Sequence, residues 1–114
     1  CTPLLAAQVA VQTAMQRAGL HSAADLQVIE LHDAFAVQGL SFAHGLGLTP
    51  EQLNPCGGGL ARGHPIGASA AIALVRLLTD LTRTENAASK AQGLVAVAGA
   101  GGLGSAAVVA NLLP

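Results

Sequence analysis

At 114 residues and a formal net charge of −1, the chain has room for one domain around a single core and offers no basic patch for nucleic acid. Hydrophobic residues make up 52% of it, charged residues 10% and aromatics 2%, so the core must be built from Ala, Leu, Val and Ile. So little charge implies that a partner or further sequence covers part of the surface, and every apolar stretch is broken by Gln, Arg, His or Asp before it reaches membrane-spanning length.

In chain order, the first predicted element is a helix over Leu4 to Ala18. Leu5, Val9, Ala10 and Met15 lie on one face, Thr2-Pro3 marks the start and Gly19 the stop. Asp25 to Leu31 alternates polar and apolar and reads as a strand. His32-Asp33 then caps a helix from about Ala34 to Gly45, with Asp33 suited to its first turn. Gly57 to Ala61 reads as a short, glycine-interrupted strand. The most apolar helix runs from Ala68 to Leu81; Ile72, Leu74, Val75, Leu77, Leu78 and Leu81 predict burial on most sides. Thr82 to Gln92 is polar and reads as a surface loop. Leu94 to Val97 and Ala106 to Ala110 are Val/Ala-rich strands joined through Gly99 to Gly104. Alternating helices and strands closed by two strands give an α/β domain, with helices on both faces of a mixed sheet.

Two cysteines, Cys1 and Cys56, make no disulfide framework and point to a reducing, cytoplasmic setting. No charged start followed by an apolar run marks a secretory signal. A chain that begins Cys-Thr-Pro without an initiator Met reads as a piece of a longer protein.

The densest information lies in Asn54-Pro55-Cys56-Gly57-Gly58-Gly59-Leu60-Ala61-Arg62-Gly63-His64-Pro65-Ile66-Gly67-Ala68-Ser69. Pro65 biases His64 toward extended angles, and glycines on either side permit tight bends. The helix that follows aims its positive end at the imidazole. A glycine-rich turn with a histidine is most often only a turn, but this one presents its ring. It is not a nucleotide loop, because Gly-x-Gly-x-x-Gly and Gly-Lys-Ser/Thr are both missing.

Three strings in order, His32-Asp33-Ala34-Phe35-Ala36, Asn54 to Ser69, and Gly99-Ala100-Gly101-Gly102-Leu103-Gly104-Ser105-Ala106, resemble the signature of the thiolase superfamily's C-terminal domain. The resemblance covers nearly the whole chain, and the His-Asp-Ala-Phe variant, Asn54-Pro55 and the final glycine string are most similar to the sterol-carrier-type branch. It implies that residues 1–114 form a thiolase C-terminal half whose own first strand, and the whole N-terminal half with the nucleophilic cysteine, lie outside this sequence. The implied fold is a five-stranded mixed sheet between helices.

The resemblance also assigns residues. His64 would activate the nucleophile and help form an oxyanion hole, and His32 would contribute to an oxyanion hole. An imidazole suits both tasks, since one nitrogen donates while the other accepts. Ala34 and Phe35 would line the pantetheine channel and Gly101 and Gly102 the substrate loop, although Phe35 by itself is as well read as core packing. The implied activity is acyl-CoA C-acyl transfer, a Claisen condensation or its thiolytic reverse, in lipid metabolism. Coenzyme A thioester is the substrate; no resident cofactor or metal is implied, and the complete protein is expected to be a homo-oligomer. His21 and His44 read as surface residues, and the four histidines show no metal-ligand spacing.

One departure stands out. The position of the family's acid/base cysteine before the last loop is Ala98, and the alternative slot in the His-Asp-x-Phe string is Ala34. Cys56 is either a substitute or a small residue packed under the glycine loop. Two readings therefore remain at the level of sequence: an acyltransferase in which His32 or water handles the α-proton, or a thiolase fold without Claisen chemistry, acting as a retro-aldol lyase or an acyl-CoA-binding subunit. Alone, the chain is expected to be inactive.

Overall fold

The computed structural model describes residues 6–83, 91–99 and 103–110. Helix α1 (Ala6–Arg17) leads to strand β1 (Val28–Leu31), helix α2 (Ala36–Gly45), a short helix α3 (Gly59–Arg62), helix α4 (Ser69–Leu81) and strands β2 (Gln92–Gly99) and β3 (Leu103–Ala110). The sheet has order β1-β2-β3; β1 runs parallel to β2 (Leu31 opposite Ala96) and β3 antiparallel to it (Gly99 opposite Leu103). The mixed sheet of the sequence reading is thus present, with three strands among the described residues. A further strand is reduced to one parallel bridge between Ile29 and Leu53.

Two apolar layers flank the sheet. Ile29, Leu31, Leu94 and Ala96 pack with Val11 and Met15 of α1 and with Phe42 and Ala43 of α2. Val28 and Val95 pack on the other side with Ala73, Leu77 and Leu81 of α4. Cover on both faces explains why all four residues of β1 are buried, where alternation had predicted an exposed side. The strand is also shorter than the Asp25 to Leu31 reading, because Ala23–Asp25 form a 3-10 turn and pairing starts at Val28.

Helices α1 and α2 end in the same way. Leu20 N–H bonds Met15 O (2.9 Å) and Gly19 N–H bonds Gln16 O (3.1 Å), and Leu48 and Gly47 repeat the pattern on Ala43 and His44. Gly19 and Gly47 take positive φ (73° and 69°), the left-handed cap that favours glycine.

Three expectations need correction. Gly57 to Ala61 is not a strand: Gly59–Arg62 form a helical turn, because Asn54 (φ 49°) and Gly57 (φ 89°) bend the chain away from the sheet. Helix α2 begins at Ala36 with Phe35 as its uncapped N-cap, so neither His32 nor Asp33 caps it. Helix α4 buries only the stripe Ser69, Ala73, Leu77, Asp80 and Leu81, while Leu74, Val75 and Leu78 stay exposed, since only one sheet lies beneath it. Strands β2 and β3 extend beyond Leu94 to Val97 and Ala106 to Ala110. Thr82 lies at the end of α4 and Gln92 in β2. Residues 84–90, Cys1, Gly101 and Gly102 lie outside the described residues.

Candidate active site

The site grows from the end of β1. His32 N–H bonds Ala96 O at 3.0 Å, one step beyond the strand, so His32 shares a sheet face with Val28 and Glu30. Its side chain is buried, at 5% exposure. The chain then turns at Asp33, whose Oδ1 accepts the Gly59 N–H at 2.5 Å. That bond crosses from the His-Asp-Ala-Phe string to the glycine-rich string and gives Asp33 its role.

Asn54 secures the same junction from the other side. Its N–H bonds Ile29 O (2.9 Å) and its Oδ1 accepts the Leu31 N–H (2.8 Å), so its backbone and amide satisfy the free edge of β1. Helix α3 then carries the chain to Gly63 (φ 88°) and His64. The result is a stacked pair: the His32 and His64 rings lie 4.2 Å apart between centroids, inclined by 27°.

The His64 ring is held through one nitrogen. Its Nδ1 lies 2.7 Å from Ser69 Oγ, and the Ser69 hydroxyl donates to Pro65 O at 3.1 Å. Ser69 Oγ therefore ties the ring through Nδ1, which leaves Nε2 as the nitrogen outside that bond. Ser69 opens α4 and is 4% exposed, which makes it a fixed support. His64 is exposed while His32 is covered.

Burial, more than any other cause, holds the His32 pKa below 6.5; the neighbouring His64 and Arg62 lower it further, and Asp33 opposes them. His32 is therefore neutral near pH 7. Because its folded-state value is the lower one, stability is full above pH 6.5 and is lost as pH falls from there toward the lowered value. Its Nε2 is buried with no hydrogen-bond partner among the described residues. Buried polar atoms are ordinarily hydrogen-bonded, so this nitrogen is available to a partner beyond the described residues. The pair thus offers two ring nitrogens, one on each histidine, outside the hydrogen bonds described.

The other candidates fall around this pair. Ala34 is exposed and gives its N–H to Gln38 Oε1 at 3.1 Å. Phe35 is 67% exposed, which removes the core-packing reading. Ala98, the position that the resemblance aligns with an acid/base cysteine, lies in β2 opposite Gly104 and carries only a methyl. Cys56 is free and exposed, with its thiol directed to Asp80 Oδ1 (3.8 Å), so it is not packed under the glycine loop. His21 and His44 are exposed, as expected. Among the described residues, no group of His, Cys, Asp or Glu is arranged to hold a metal. The roles of Ser69 and Asp33 escaped the sequence reading; the signal for Ser69 was a hydroxyl five residues after His64 at a helix start.

Close approach at Gly59 makes a sharp prediction. A Cβ there would lie 2.7 Å from His32 Cε1, 2.9 Å from His32 Nδ1 and 3.2 Å from Asp33 O. We expect Gly59→Ala to destabilise the fold by about 1–3 kcal/mol in denaturant unfolding, because the ring must move to make room. An unchanged midpoint would show that the site yields without cost.

Residues 3–111 match the family "Thiolase, C-terminal domain". The chain is 41% identical over 99 residues to the beta-ketothiolase BktB of Cupriavidus necator, covering 87% of this chain and 24% of that protein. It is 43% identical over 103 residues to the acetyl-CoA acetyltransferase of Escherichia coli, covering 90% and 25%. Among solved structures, the Ascaris suum Acat5 thiolase in complex with coenzyme A superposes with a TM-score of 0.85 at 34% identity, over 96% of this chain and 27% of that one. The peroxisomal 3-ketoacyl-CoA thiolase of Saccharomyces cerevisiae, built from two core domains of identical topology, gives 0.83 at 28% identity, over 96% and 30%. The chain therefore spans about a quarter of the length of the curated relatives it matches.

Proposed function

Since this chain belongs to the thiolase family, as its C-terminal domain, we propose that it supplies the two-histidine half of an acyl-CoA C-acyltransferase active site. The observation that carries this reading is the His32–His64 stack, with rings 4.2 Å apart on two different motif strings. A thioester exchange needs a nucleophile, a base that activates it and donors for the developing oxyanion. His64 Nε2, freed by the Ser69 support, is the base for a cysteine supplied by a second core domain. His32 Nε2, buried and unmatched, donates to the thioester oxygen. Ala98 transfers no proton, so His32 or water handles the α-proton.

Several features support the wider assignment. Ala34 and Phe35 are exposed directly after His32 in the chain and are assigned to the pantetheine channel, and Gly101 and Gly102 are assigned to substrate binding on the sequence alone. The reading takes coenzyme A thioester as the substrate, no resident cofactor, and lipid metabolism as the setting. The exposed apolar face of α4 suits a second core domain, and we take the whole protein to be a homo-oligomer. No helix among the described residues is long and apolar enough to cross a membrane. A free, exposed Cys56 fits a reducing compartment, which we take to be the cytoplasm.

The test is a thiolysis assay. The chain joined to its cysteine-bearing half should cleave 3-ketoacyl-CoA in the presence of coenzyme A, while the 114 residues alone should not. Turnover by the isolated chain would refute the division of labour, and inactivity of the joined protein would refute the assignment.

A further inference from the structure

Glu30 is a buried acid that the scheme above does not use. It sits in β1 two residues before His32, on the same sheet face, and is 0% exposed. Neither carboxyl oxygen has a hydrogen-bond partner among the described residues. Its ion-pair contact is Arg62 Nη2, 3.8 Å from Oε2; that guanidinium is partly exposed, at 28%. Arg62 is the last residue of α3 and stands two residues before His64. The contact therefore joins the segment that carries His32 to the segment that carries His64, behind the stacked rings.

We propose that Glu30 is a positioning residue for His64, acting through Arg62 to hold the α3–Gly63–His64 segment in register over His32. The proposal rests on the two-histidine reading of the site. A buried carboxylate without hydrogen bonds is costly, and replacing it with an apolar residue would relieve the fold. Its contact with the histidine-bearing turn gives that cost a use. Asp33 to Gly59 ties the start of α3, and Glu30 to Arg62 ties its end.

The groups facing Glu30 determine when the tie holds. Arg62 of α3 and Arg76 of α4 favour its charged form, while Asp80 of α4 and Asp33 after β1 disfavour it. Strand β2 contributes no charge there, since Val95 is the cross-strand partner. Burial dominates and pushes the carboxyl up to about 7. Above that pH the carboxylate holds Arg62; below it the proton releases Arg62.

Glu30→Gln and Arg62→Ala in the protein that joins both halves test the idea, with His64→Ala as the control. We expect kcat to fall by about 10-fold or more in each variant, within the roughly 10²-fold cost of a misplacement of about 1 Å, with KM little changed. The double variant should be no worse than either single one. On the acid side, log kcat should fall less steeply with pH in Glu30→Gln, which loses the step of about one decade that protonation of Glu30 adds near pH 7. Arg62→Lys, which keeps the charge, should recover part of the rate. If His64→Ala is inactive but Glu30→Gln and Arg62→Ala keep wild-type kcat and slope, the positioning role is refuted. Additive losses with an unchanged slope would also refute it, since they describe a purely structural pair. If His64→Ala is itself active, the fault lies in the two-histidine reading.

Discussion

Replacing His64 with alanine in the complete protein lowers kcat/KM by about 10²–10⁴-fold, the span expected when a positioned base is removed. The reason lies in the local geometry. Ser69 Oγ holds Nδ1 at 2.7 Å and is itself within 3.1 Å of Pro65 O, so the ring is fixed through Nδ1 and Nε2 is the nitrogen left for the nucleophile. The variant should fold normally, because His64 is exposed and its loss leaves no buried cavity. Nucleophile activation is the step that fails, so the rate of acyl-enzyme formation should drop as steeply as turnover. Thiolysis kinetics with a pre-steady-state trace will separate the two, and retained acylation would remove His64 from the role of base.

His32→Ala is the second large effect, with kcat reduced by about 10²–10³-fold, as for the loss of one oxyanion donor. Here the side chain is buried and its Nε2 has no partner among the described residues, so on the proposed reading this nitrogen is free to serve as the donor. Unlike the His64 variant, this one also empties space beneath the stack, so unfolding must be measured alongside turnover. His32→Asn separates donation from packing: an amide N–H restores a donor, and should recover more activity than alanine while leaving stability similar. Equal rates in the two variants would mean that donation from this position contributes nothing.

Much of the site was legible because its signals are local. His64-Pro65 after glycine and before an apolar helix predicts a presented ring, and the ring is exposed at the start of α4. Glycine strings were less legible, because glycine permits both extended and turned backbone: Gly57 to Ala61 read as a strand and forms part of a helical turn. Asp33 was misread for a different reason. A carboxylate just after a strand is what a helix cap looks like, whereas its partner, the Gly59 N–H, is 26 residues away. Glu30 occupied a polar slot in an alternating strand, and only the packing of α4 over that face reveals it as buried. Helix α4 erred the other way. Its all-round apolar pattern describes a helix covered on both sides, and this chain supplies one side.

The most direct test of the account is to mix the joined protein with an acyl-CoA, quench, and locate the acyl group by peptide mass spectrometry. The account predicts a thioester on a cysteine of the half that pairs with this chain, formed quickly with His64 present and far more slowly in His64→Ala. An acyl group on Cys56, or on no cysteine at all, would contradict the claim that this domain serves the nucleophile rather than providing it.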